Sequence, residues 1–166
     1  MANPRVDRPF IEDGYGIPDH LDGTLPWSWA VERLTDAPIY WVATVRPDGK
    51  PHVTPIWGVW VDDAFWMEGG PNTRRFRNLR ANPAAVVTVE RGTDALILEG
   101  ESELVTDLGG GLEGRLLVGY RKYVASHGYE AQASNWAHGI WRVRPRKVLG
   151  WSDFPADTTR WTFGDD

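Results

Sequence analysis

The sequence contains no cysteine. That excludes a disulfide framework, a thiolate nucleophile and cysteine-ligated zinc or iron–sulfur centres. Long uncharged runs are also missing: the longest stretches free of Asp, Glu, Lys and Arg are the eleven residues Pro51–Val61 and the eleven residues Ala131–Trp141. A membrane helix needs about 20 apolar residues, so no span is expected. The opening MANPRVDRPFIEDGYG lacks the apolar core of a secretory signal, and the expectation is a cytoplasmic protein. Histidine is scarce. His20, His52, His127 and His138 have no partner at fixed spacing, and His127 and His138 are read as surface residues rather than metal ligands. There is no G-x-S-x-G elbow or phosphate-binding loop, and Gly109-Gly110-Gly111 lacks the spacing of a dinucleotide fingerprint. No side chain is singled out as catalytic, and no metal site is expected.

Acidic residues are locally absent too. Net charge is −5, yet no Asp or Glu falls between Glu68 and Glu90, a gap that holds Arg74, Arg75, Arg77 and Arg80. The acidic total argues against a nucleic-acid track. Four guanidinium groups within seven positions repel one another unless something anionic sits among them. Two readings are open: a solvated helix face paired with carboxylates from elsewhere in the fold, or a site for an anion.

What the sequence has in quantity is glycine (18), proline (12) and tryptophan (10), a mixture that points away from a helical bundle. Residues 1–26 read as an irregular arm, and residues 27–166 as one domain. Trp27–Ala37 has apolar residues at helical spacing, and Pro38 ends it. Ile39–Val45 and His52–Val61 read as strands joined by an Asp48-Gly49 hairpin, with a bulge or an exposed edge required at Pro55. Asp62-Asp63 turns the chain into a third strand, Ala64–Glu68. After Gly69-Gly70-Pro71, Asn72 or Thr73 caps a helix running through Ala81. Ala84–Glu90 and Ala95–Val105 are strands. Leu112, Leu116, Tyr120 and Tyr123 mark one side of a helix stopping at Gly128. Gly139–Arg144, Lys147–Asp153 and Arg160–Phe163 complete a mainly β, antiparallel arrangement.

Two constellations carry chemistry. A helix N-terminus bearing Thr73, Arg74, Arg75 and Arg77 joins free amides to bidentate donors, which suits a phosphate monoester. The interrupted strand Thr54-Pro55-Ile56-Trp57 leaves backbone groups that a planar heterocycle can use; the same strand also reads as core or subunit interface.

The run YWVATVRPDGKPHVTPIWGVWVDDAFWMEGGPNTRRFRNLRANPAAVVTVE resembles the split β-barrel flavin/deazaflavin oxidoreductases of the pyridoxamine 5′-phosphate oxidase superfamily. It shares their strand–DG–strand start, Thr54-Pro55-x-Trp57, and a Thr73-x-Arg75-x-x-Asn78-Leu79-x-x-Asn82-Pro83 helix; WRVRPRKVLGWSDF resembles their closing strands. The resemblance spans about residues 25–163. It implies an antiparallel split barrel of six to seven strands, of the FMN-binding type, with inserted helices. It implies a homodimer with cofactor sites at the interface, the phosphate held by Thr73 and Arg75 together with Arg77 and Asn78; Arg74, on the same helix turn, is counted with them as cofactor-binding. Thr54, Pro55, Ile56 and Trp57 would line the ring. Similar sequences often carry Thr where Gly69 stands, and more commonly Lys at Arg75. The actinobacterial branch it most resembles implies coenzyme F-420, with FMN as the alternative. The implied activity is hydride transfer between the reduced deazaflavin and an unsaturated or quinone-like small molecule; an FMN-binding oxidoreductase or a non-catalytic flavin-binding protein is the alternative. Trp41, Trp60 and Tyr120 are candidates for the acceptor pocket.

Overall fold

The computed structural model describes residues 3–164. Its elements, in chain order, are β1 (Arg5–Asp7), α1 (Trp27–Asp36), β2 (Tyr40–Val45), β3 (Pro51–Ile56), β4 (Gly58–Val61), β5 (Ala64–Met67), α2 (Arg74–Ala81), β6 (Ala84–Arg91), β7 (Asp94–Val105), α3 (Leu112–Tyr120), α4 (Lys122–His127), β8 (Ile140–Trp151) and β9 (Thr159–Thr162). All strand pairs are antiparallel, in the order β1-β9-β8-β7-β6-β2-β3, with β4 and β5 attached through β8. β8 is the pivot. One edge pairs with β7 throughout, while the other is divided between β5 (at Trp141–Val143) and β9 (at Lys147–Gly150). The sheet does not close, since β3 pairs only with β2 and β4 only with β5.

This is the mainly β, split-barrel architecture expected, with nine strands among the described residues instead of six or seven. Against the eight strand segments read along the sequence, three differences account for the count. The arm is not wholly irregular, because Arg5–Asp7 pairs with β9. The strand expected over His52–Val61 divides at Trp57, two residues after Pro55. Pro55 is tolerated because β3 is an edge. The break falls next to Gly58, where even a Cβ would lie 2.4 Å from the Phe65 ring. Conversely, the two strands expected around Pro145 are one. Pro145 sits opposite Gly100, where the register with β7 shifts, and this bulge accommodates a residue that cannot donate to the ladder.

Local chemistry explains the rest. Asp62 and Asp63 both adopt positive φ (52° and 55°), as a tight turn matching strand twist requires. The single helix expected over residues 112–128 is divided at Arg121, and Gly128 stops its second part with φ 64°. β5 is buried on both faces, so it separates two apolar clusters. Phe65 and Met67 join the larger one, between α1, α2 and the main sheet; Ala64 and Trp66 join the smaller, with Leu116, Tyr120, Tyr123 and Trp136.

Candidate functional site

Alternation along β2 and β3 gives this region two unlike faces. Tyr40, Val42 and Thr44 point inward and are buried, and the residues opposite them on β3 are Ile56, Thr54 and His52. Helix α2 packs against this side: Asn78 Nδ2 donates to Thr44 Oγ1 at 2.9 Å, inside the protein. On the outer face Trp41, Ala43 and Val45 lie opposite Pro55, Val53 and Pro51. That outer face is apolar and open, with Trp41 43% and Val53 56% exposed.

The N-terminus of α2 supplies the cationic part. Thr73 stands at the cap position with extended backbone (φ −63°, ψ 151°), but its hydroxyl makes no capping hydrogen bond. Thr73 Oγ1 is buried and without a protein partner. Arg75 is half buried, its Cζ 4.9 Å from the Phe76 ring centroid, and Phe76 stacks on Trp141. Burial lowers the pKa of the Arg75 guanidinium from the usual arginine value, because no charge nearby compensates lost hydration. No ion pair among the described residues involves Arg74, Arg75, Arg77 or Arg80. Arg80 is used by the fold, donating to the Pro71 carbonyl at 2.7 Å. Arg74 and Arg77 are exposed. Glu68, the closest carboxylate in the sequence, is tied off in the other direction by the Tyr129 hydroxyl and the Trp136 indole N–H. The reading in which carboxylates from elsewhere neutralise this helix therefore does not hold among the described residues.

The donor set fits a phosphorylated cofactor. Thr54 Oγ1, Thr73 Oγ1 and Arg75 Nε are buried donors lacking protein acceptors. Leaving each unmet costs about 1–3 kcal/mol, a cost that an oxyanion removes. Asn78 is used differently. With Nδ2 given to Thr44, the atom left without a partner is Oδ1, an acceptor that offers nothing to an anion. Sequence reasoning also passed over His52, whose buried Nδ1 lacks a partner on the same strand face as Thr54. The two-residue spacing from Thr54 was the available signal.

Thr54, Pro55, Ile56 and Trp57 do not share one surface. Thr54 and Ile56 face inward, Pro55 faces outward, and Trp57 turns into an aromatic group, its ring 5.2 Å from Tyr123, 4.7 Å from His127 and 5.3 Å from Tyr129. The backbone at the strand break is not free at Gly58. The Tyr123 hydroxyl receives the Gly58 N–H at 3.0 Å and donates to the Gly58 carbonyl at 2.8 Å. Burial pushes the Tyr123 phenol up to about 12. The unpaired backbone groups lie instead along the open edge of β3. Nor does the protomer bring Trp41, Trp60 and Tyr120 together. Trp60 is buried in the larger cluster, Tyr120 in the smaller one, and Trp41 lies on the outer face.

A family model described as pyridoxamine 5′-phosphate oxidase matches residues 30–152, which takes in β2 to β8 and α2. The chain belongs to the pyridoxamine 5′-phosphate oxidase family. No curated protein matches it. Among solved structures, a conserved hypothetical protein from Mycobacterium tuberculosis superposes on this family member with TM-score 0.63 at 20% identity, covering 81% of this chain and 89% of its own. A protein named F-420 reductase matches with TM-score 0.52 at 28% identity, over 70% of this chain and 94% of its own. An FAD-binding protein from Mesorhizobium loti matches with TM-score 0.58 at 20% identity, over 84% and 96%. Among the described residues no helix is long and apolar enough to cross a membrane, and no group of three His, Asp or Glu is placed to hold a metal ion.

Proposed function

We propose that the protein is an oxidoreductase that uses coenzyme F-420, transferring a hydride between the reduced deazaflavin and an unsaturated or quinone-like acceptor. The observation that carries this reading is the set of unneutralised guanidinium and hydroxyl donors at the start of α2. Arg75 and Thr73 would hold the cofactor phosphate, with Arg74 and Arg77 adding field from the exposed side. Thr54 and the open edge of β3 would hold the ring. The deazaflavin supplies the hydride chemistry when bound, which explains why the chain needs no acid–base dyad of its own. The likeness at 28% identity to a protein named F-420 reductase supports the deazaflavin over FMN.

A homodimer completes the reading. Trp41, Val53, Pro55 and the adjoining β6 residues Val86 and Thr88 form an open, largely apolar sheet face, next to a strand edge without a partner. Faces of this kind mark association surfaces. A second copy covering this face and reaching over the open edge of β3 would approach the cofactor donors, which lie on the other side of the sheet, and bring further residues to the acceptor.

The test is a pair of titrations of the purified protein, with FMN and with F-420, followed by sedimentation. Micromolar or tighter binding of F-420, with FMN weaker, is expected for a dimer. Reduced F-420 is then mixed with a panel of enones and quinones. Reoxidation that depends on both protein and acceptor supports the enzyme, and tight binding without turnover identifies a carrier. Tighter binding of FMN would move the assignment to a flavin enzyme.

A further inference from the structure

Gly69 and Arg75, six positions apart in the sequence, meet in space. Gly69 has φ 148°, in a region that residues bearing side chains rarely adopt, and a Cβ there would lie 2.7 Å from Arg75 Nη2 and 3.3 Å from Phe76 Cε2. The Arg75 guanidinium thus lies across the bare peptide of Gly69, with the Phe76 ring beside both. Phe76 cannot yield: it is buried and stacked on Trp141 with ring centroids 5.4 Å apart and planes inclined at 15°. The end of an arginine side chain moves easily, so a methyl group at position 69 displaces the guanidinium, while the methyl's tight contact with the fixed Phe76 ring is the same whatever residue stands at 75. The cost appears in whatever the guanidinium was placed to hold.

Resting on the phosphate reading above, we infer that Gly69 is a specificity-determining position. The missing side chain lets a planar guanidinium, rather than an ammonium, grip the anion. A lysine ends before the Nη atoms and does not reach the space over residue 69. The fork formed by Arg75 reads two oxygens of one group, so the favoured ligand carries a phosphate ester with at least two free oxygens. Gly69 and Arg75 then act as one unit, and the loss caused by a side chain at residue 69 depends on which residue stands at 75.

A double-mutant cycle tests this with wild type, Gly69→Ala, Arg75→Lys and the pair. Dissociation constants for F-420, FMN and riboflavin, which lacks the phosphate, are measured by calorimetry, and melting temperatures on the empty proteins. Gly69→Ala is expected to weaken binding of the phosphorylated ring at least tenfold when residue 75 is Arg, and less than threefold when it is Lys. Any riboflavin affinity should stay unchanged. The melting temperature should fall equally in both backgrounds, because the backbone conformation at residue 69 is common to them. Equal losses in both backgrounds, or none in either, overturn the inference while the cofactor reading stands. A wild-type protein that binds neither F-420 nor FMN overturns both.

Discussion

Two groups of cations on this chain are treated in opposite ways. Along β7 and β8, Lys147 is 2.8 Å from Glu99, Arg146 is 3.2 Å from Glu101, and Arg142 and Arg144 both reach Glu103. Every cation on that ladder has a carboxylate across the strand pair. At the start of α2, Arg74, Arg75 and Arg77 have none among the described residues, and the Thr73 hydroxyl beside them does not cap its helix. The ladder is how a fold disposes of charge when solubility and register are all that is required. An unpaired, half-buried guanidinium is destabilising, and it persists where a ligand supplies the missing anion. Charge count alone does not separate the two groups, but pairing does.

The comparison is broken most directly at Arg75. Arg75→Ala should weaken cofactor binding by at least tenfold, about 1.4 kcal/mol, with little change in the melting temperature of the empty protein. Calorimetry that finds an unchanged dissociation constant would remove α2 as the anion site. Tyr123→Phe works in the opposite sense, creating orphaned polar groups where the fold has satisfied them. Losing the hydroxyl between the Gly58 N–H and carbonyl should cost about 1–3 kcal/mol in chemical denaturation.

Tyr123 also carries a pH signature. Its folded pKa, about 12, lies above the ordinary phenol value of 10.0. The associated stability is therefore fully present below pH 10 and declines as pH rises toward 12. Tyr123→Phe should flatten that decline, and an unaltered alkaline denaturation profile would contradict the buried, neutral phenol.

Smaller effects sharpen the contrast. A threonine at a helix N-cap ordinarily contributes about 1 kcal/mol. Thr73→Ala should cost less than half of that in stability, and a few-fold in cofactor affinity, because its hydroxyl makes no hydrogen bond to the helix amides. A full capping penalty with unaltered binding would reverse the assignment. The smallest effect on cofactor affinity should follow from Glu103→Gln on the ladder. About 0.2–1 kcal/mol of stability is at stake there, and cofactor affinity should not move.

Much of this was legible before folding was considered. Asp48-Gly49 and Asp62-Asp63 announce their turns because few residues accept positive φ, and Gly49 (φ 78°) and both aspartates adopt it. The boundaries of α2 follow from Thr73 and from Asn82-Pro83. The carboxylate-free gap marked the candidate site without any tertiary information. What escaped was set by long-range contacts. Pro55 looked like the interruption, but the break lies at Trp57, next to a glycine packed under Phe65 and bonded to a tyrosine 65 positions away. Pro145 seemed to end a strand, yet the bulge that admits it belongs partly to β7. His52 and Asn78 show the same limit. Alternation puts His52 on the face of Thr54, but only the pairing of β3 with β2 shows that this face is turned inward, and only the bond to Thr44 shows that the Asn78 amide is already engaged.

Because β5 lends alternate side chains to both apolar clusters, neither can open while the other stays intact. The amides of Phe65 and Trp66 should be among the slowest in the chain to exchange with deuterated solvent, opening only when the whole molecule unfolds. Heating should accordingly give one cooperative transition, and any cofactor that grips α2 should raise its midpoint as a single event.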